Sequence, residues 1–229
     1  VQLCVALDLP TASKNMKLAE QLAVYDDLWM KVGFRSYIRD GRAFVDTLKQ
    51  INPHFKIFLD LKLYDIPNTM ADAAEEIAQI GIDMFNIHAS AGEAAMRAVM
   101  ERLSQQDNRP LVLAVTALTS FDEVGFGKIY GVDIKQKAEQ FARMSHREGL
   151  DGVVCSAFES RGIKEATDDD FLTLCPGIRP FSEDAGDQKR VATLEVAANE
   201  LVDFSVIGRP IYKDSDPSSK VRRILEAMD

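Results

Sequence analysis

Apolar residues in this chain come in short runs spaced along its whole length. Eight such runs occupy 3–7, 28–32, 56–61, 84–87, 111–116, 152–155, 171–175 and 204–207. In most of them consecutive positions are apolar, rather than every second one. That is the pattern of strands covered on both faces, as in parallel sheets.

Between the runs the apolar period becomes that of an amphipathic helix. Thr11 is placed to cap a helix carrying Leu18 and Leu22 on one face. Phe44, Val45, Leu48 and Ile51 mark a second. Met70, Ala74, Ile77 and Ile80 form a stripe behind a cap at Asn68 or Thr69. Further stripes are Met96, Val99, Met100 and Leu103, then Ile134, Ala138, Phe141 and Ala142. A short helix is expected over 159–166. Val191, Leu194, Ala198 and Leu201 mark the seventh helix, and Val221, Ile224 and Leu225 the eighth. Eight strand–helix units in series predict an α/β fold, a single (β/α)8 TIM barrel that fills 1–229 as one domain. A doubly wound open sheet is the alternative. Two segments lack a clear period: 120–133, and 180–187, whose turn formers suit a mobile loop.

Charge changes the picture of the partners. Lys plus Arg number 27 against 36 Asp plus Glu, a net charge of −9. An acidic chain without a run of Lys and Arg argues against nucleic acid. It leaves the charge of a small ligand open, because a basic pocket can sit inside an acidic protein. Cys4, Cys155 and Cys175 lie in apolar runs without Cys-x-x-Cys spacing, so they read as buried thiols in a reducing compartment. His54, His88 and His146 are too dispersed to suggest a His-based metal site. No apolar stretch approaches the ~20 residues of a membrane span, and the N-terminus does not read as a signal peptide. A cytoplasmic protein with no membrane partner is the expectation.

Active sites of such barrels lie at the C-terminal ends of the strands. There the sequence places Asp8, Lys31, then Asp60, Lys62 and Asp65, then His88, then Thr116, Thr119 and Ser120, then Ser156. The seventh run leads into Pro176-Gly177-Ile178-Arg179 and the eighth into Gly208-Arg209-Pro210. The loops after strands seven and eight often bind phosphate. Glycine lets backbone N–H groups approach an anion, and arginine offers a two-pronged fork. Either loop alone fits a turn with a surface Arg; the pair favours a phosphate site. In an extended segment Asp60 and Lys62 point the same way, and Lys31 on the neighbouring strand reaches the same region. Two acids and two lysines in one partly buried space shift each other's proton affinity. An ammonium held there can protonate a developing carbanion. A purely structural ion-pair network at the barrel mouth is the alternative.

The string Asp60-x-Lys62-x-x-Asp65-Ile66-Pro67-Asn68-Thr69 resembles the signature of the orotidine 5′-phosphate decarboxylases, in their bacterial form. Ala6-Leu7-Asp8, Lys31-Val32-Gly33, the segments 114–120 and 152–156, Pro176-Gly177-Ile178-Arg179-Pro180 and Ile207-Gly208-Arg209-Pro210-Ile211 resemble the family's other motifs, in order. The resemblance implies decarboxylation of orotidine 5′-monophosphate to uridine 5′-monophosphate, the last step of de novo pyrimidine synthesis, with no metal or organic cofactor. It implies a homodimer whose sites are shared across the interface. Lys62 is then the proton donor to C6, with Asp60 beside the substrate carboxylate and Asp65 supplied by the partner. Lys31 bonds Asp60 and the ribose, and Asp8 and the partner's Thr69 take the ribose hydroxyls. Thr119, or Ser120, meets the pyrimidine. Gln188 closes over the base and phosphate, and Arg209, Gly208 and Arg179 hold the phosphate. Ile66 and Pro176 complete the substrate contacts. The segment 121–130 departs from the bacterial pattern, which leaves the fifth-loop contact open. His88, Cys155 and Ser156 suit structural roles. Related sugar-phosphate barrels that use Mg2+ and an extra Glu ligand, and a non-catalytic nucleotide-binding barrel, are the other readings.

Overall fold

A computed structural model describes residues 1–106, 108–184, 186 and 190–228. Eight parallel strands pair in chain order: β1 (Gln2–Ala6), β2 (Trp29–Gly33), β3 (Lys56–Leu63), β4 (Met84–His88), β5 (Leu111–Val115), β6 (Gly152–Val154), β7 (Leu172–Cys175) and β8 (Phe204–Ile207). β8 pairs back to β1, with Gln2 opposite Phe204 and Val5 opposite Ile207, and the sheet closes into a barrel.

The continuous apolar runs have two destinations. Cys4, Ala6, Trp29, Phe58, Met84, Leu113, Val115, Val154, Leu174, Phe204 and Val206 pack together as a cluster contributed by the strands alone. Their alternates, among them Val5, Met30, Ile57, Leu59, Phe85, Ile87, Val112, Val153 and Ile207, pack with helix residues in a larger cluster. Side chains alternate along a strand, so the first cluster fills the barrel and the second joins it to the helical ring.

The helices are α1 (Ala12–Leu22), α2 (Phe34–Ile51), α3 (Pro67–Ala78), α4 (Glu93–Leu103), α5 (Glu123–Tyr130), α6 (Ile134–Arg147), α7 (Ala157–Ala166), α8 (Leu194–Asn199), α9 (Arg209–Tyr212) and α10 (Pro217–Glu226). Thr11 caps α1 as expected, its hydroxyl accepting from Lys14 N at 3.3 Å. Three expectations need correction. The cap of α3 is Ile66, not Asn68 or Thr69. Pro67 starts the helix, because its fixed φ suits the first helical position and its missing N–H has no partner to lose there. The segment 120–133 contains α5, capped by Asp122, closed by Gly131 at φ +71°, and held by Phe126 stacked on Tyr130. Gly125 and Gly127 dilute its helical pattern. The seventh predicted helix shrinks to α8, which leaves out Val191 and Leu201. Ala192 instead bridges to Ile178 beside β7. Among the described residues no helix is long and apolar enough to cross a membrane.

Candidate active site

The polar site continues the inward-facing columns of the barrel. Asp8 lies two residues beyond Ala6, Lys31 two beyond Trp29 and Asp60 two beyond Phe58. Period-two alternation therefore turns all three toward the axis at the strand C-termini. Lys31 Nζ sits 3.1 Å from Asp8 Oδ2 and 3.2 Å from Asp60 Oδ2. Lys62 Nζ donates to Asp60 Oδ1 at 2.5 Å. Gly33 makes this approach possible, since a Cβ there would come within 3.0 Å of both Asp8 Oδ1 and Lys31 Nζ.

Electrostatics fix the charge states of the central pair. Burial alone would raise the Asp60 carboxyl, but the ammonium groups of Lys31 and Lys62, with hydrogen bonds from Lys62 and Asn86, outweigh it and hold it at about 2. Burial would lower Lys31, yet Asp60 and Asp8 overcome it and push Lys31 above the usual lysine range. Asp60 is thus a carboxylate and Lys31 an ammonium across the neutral range. His88, at the end of β4, is lowered by burial and by Lys62, against an opposing pull from Asp60.

The segment carrying Lys62 is not regularly extended, as the sequence had suggested. Lys62 has φ +49°, which a residue with a Cβ adopts rarely. Pairing with β4 skips here: Leu59 faces Phe85 and Leu63 faces Ile87, so three residues of β3 stand against Asn86 alone. Asn86 fills the gap, accepting from Lys62 N at 2.7 Å and donating to Asp60 Oδ1 at 2.8 Å. The Asp60 and Lys62 side chains converge through this irregularity, not through plain alternation.

A cavity of about 300 Å³ opens over these groups. Besides Asp8, Lys31, Asp60 and Lys62 it is lined by Thr119, Ser120, Pro176, Arg179, Gly208 and Arg209, with Phe58, Val115 and Leu174 as its apolar floor. The two Gly–Arg loops therefore line the same cavity. Arg179 has a second task that the sequence did not signal. Its Nε donates to the carbonyl of Asp184 at 2.8 Å and its Nη1 to that of Ile178 at 3.0 Å, which shapes the loop after β7. Asp65, Ile66 and Thr69 do not line the cavity; Asp65 and Ile66 are exposed on the turn into α3 and Thr69 in its first turn. Gln188 lies outside the described residues. Three contributors escaped the sequence reading. Asn86 was hidden inside an apolar run. Tyr212 lines the cavity from α9. Arg190 pairs with the buried Glu159 of α7 and reaches the carbonyl of Leu118 at 3.4 Å, tying two mouth loops together.

The model of the orotidine 5′-phosphate decarboxylase / HUMPS family matches residues 1–224. The chain belongs to that family. A protein of Sulfurovum sp. named orotidine 5′-phosphate decarboxylase is 72% identical over 226 residues, covering 99% of this chain and 98% of that one. One of the same name from Sulfurimonas denitrificans is 63% identical over 226 residues, covering 99% of each. The crystal structure of orotidine 5′-phosphate decarboxylase from Lactobacillus acidophilus superposes with a TM-score of 0.86 at 31% identity, over 100% of this chain and 99% of that one. The string from Asp60 to Thr69 is split by the fold, with Asp60 and Lys62 lining the cavity and Tyr64 to Thr69 on the surface.

Proposed function

We propose that this chain decarboxylates orotidine 5′-monophosphate to uridine 5′-monophosphate and CO2, the last step of UMP synthesis. The observation that carries the reading is Asp60 held between Lys31 and Lys62 in a cavity that Arg179 and Arg209 also line. A dianionic phosphate suits the two arginines, and a substrate carboxylate and its departing CO2 suit the two lysines.

The bond between C6 and the carboxylate breaks and its electron pair stays on C6. Lys62 then transfers a proton from Nζ to C6 and is recharged from solvent. An ammonium stabilises the developing carbanion more than the dispersed charge of the bound substrate, which is what lowers a barrier. Asp60 keeps Lys62 aimed, and Lys31 keeps Asp60 ionised. Ribose and phosphate contacts from Asp8 and Arg209 supply binding energy away from the reacting bond. Both Asp60 oxygens are already engaged by Lys62, Asn86 and Lys31, which favours charge neutralisation by side chains over a divalent cation.

The site is completed by a second copy of the chain. Asp65, Ile66 and Thr69 sit exposed beside Tyr64, which is 64% exposed. In a homodimer this turn reaches the neighbour's cavity, where Asp65 extends the alternation of acid and base and Thr69 meets the ribose. The test is to incubate orotidine 5′-monophosphate with the protein, with and without EDTA, and follow the loss of orotate absorbance. Turnover insensitive to EDTA supports the proposal; turnover abolished by EDTA contradicts its metal-free chemistry, and no turnover even without EDTA favours the Mg2+-dependent sugar-phosphate barrels.

A further inference from the structure

We infer that Asn86 is a positioning residue that sets the aim of Lys62 by holding the backbone of Lys62 and the carboxylate of Asp60 with one amide. This rests on the decarboxylase reading for its catalytic consequence, though not for its geometry.

Asn86 is fully buried and points into the barrel between Met84 and His88. Its orientation is fixed by its partners. The Lys62 N–H can only donate, so it faces Oδ1; the ionised Asp60 can only accept, so it faces Nδ2. The first bond gives the displaced Lys62 amide a partner that the broken β3–β4 ladder does not supply, and stabilises the left-handed conformation at φ +49°. The second fixes the same Asp60 oxygen that receives the Lys62 ammonium. One side chain thus closes a ring: Lys62 backbone, Asn86, Asp60, Lys62 ammonium. Apolar residues of the same size could fill the space but would leave a buried N–H and a carboxylate lone pair unpaired.

Asn86→Asp separates positioning from mere filling. Its carboxylate still accepts from Lys62 N, but when ionised it repels Asp60 instead of donating to it. When protonated it donates again and restores the ring. The charged and titratable groups around it are Asp60 and Lys62 on β3, Lys31 on β2, Asp8 beyond β1 and His88 on β4; the facing strand β5 offers Leu113 and Val115. Asn86→Leu keeps His88 and adds no acid, so its pH profile is the control for His88.

The expected result is a kcat for Asn86→Asp about 10²-fold below wild type at pH 8, recovering by about tenfold relative to wild type as the pH falls to 5.5. KM and binding of uridine 5′-monophosphate should change little. Asn86→Leu, which cannot be rescued by a proton, should be slow at every pH. A ratio independent of pH, or an Asn86→Leu kcat within about threefold of wild type, overturns the inference. Amide exchange in the unmodified protein decides the matter even if the variants do not fold. The Lys62 amide should exchange far more slowly than that of exposed Tyr64, and equal rates would contradict it. If wild-type protein fails to turn over the nucleotide, the proposed function falls while the exchange test of Asn86 still stands.

Discussion

At the residue scale the cavity concentrates its polar contacts on one carboxylate. Asp60 meets two lysines and one amide within 3.2 Å, and its proton affinity falls to about 2 although burial works against this. The stability consequence has a definite sign. A carboxyl lowered from 3.8 in the unfolded chain stabilises the fold above that value, and the contribution disappears as pH falls toward 2. A shift of this size corresponds to about 2 kcal/mol. Urea unfolding of wild type and Asp60→Asn across pH 7 to 2.5 should show a stability difference that is constant above about pH 5 and shrinks by about 2 kcal/mol below it. A difference that does not change with pH would show that Asp60 is not held in this way. Asp8, Lys31, Asp60 and Lys62 were legible in the sequence because each polar residue interrupts or ends an apolar run. Asn86 was not, because a lone amide between Phe85 and Ile87 looks like any strand residue until its partners are seen.

At the element scale the strands were the most legible part, since burial on both faces leaves an uninterrupted apolar signature. The turns were less so. The short α5 and α9 and the early start of α3 depend on Asp122, Gly131, Arg209-Pro210 and Pro67, which act through single backbone positions, not through a repeating pattern. The loop after β7 is similarly tied by isolated contacts. Glu183 pairs with Lys220 of α10 at 2.6 Å, and the Phe181 ring lies 4.7 Å from Lys220 Nζ and 4.8 Å from Arg223 Cζ. A cation packed on a ring cannot be predicted from residues forty positions apart. Strand pairing has its own requirement at Gly152, which faces Leu172 across β6 and β7. A Cβ there would overlap the Leu172 carbonyl and come within 2.8 Å of its carbon. Gly152→Ala should therefore cost roughly 1–3 kcal/mol, read as a lower urea midpoint at unchanged slope. An unchanged midpoint would mean that the two strands separate without cost.

At the scale of the whole molecule, the net charge of −9 and an anionic substrate are compatible because charge is sorted by place. Lys31, Lys62, Arg179 and Arg209 converge on the cavity, while many surface cations are paired with acids, as in Arg97–Glu148, Arg102–Glu75 and Arg147–Glu93. The split of the Asp60-to-Thr69 string between cavity and surface was not readable from its spacing, only from the family resemblance, because covalent neighbours need not share a site. A shared site makes a prediction for mixed subunits. Lys62→Ala and Asp65→Ala proteins are each expected to be nearly inactive. Combined after dissociation, half of the dimers become hybrids, and each hybrid regains one intact site of two, so activity should return to about a quarter of wild type. No recovery in verified hybrids would place Asp65 outside the site.

The most direct measurement is turnover of orotidine 5′-monophosphate in D2O by wild type and by Lys62→Ala. Wild type should release CO2 and uridine 5′-monophosphate in equal amounts, with one deuterium at C6 of the product. Lys62→Ala should bind the product nucleotide yet be slower by about 10²- to 10⁴-fold or more. Product without deuterium at C6, or a Lys62→Ala rate within about tenfold of wild type, would contradict proton delivery by Lys62.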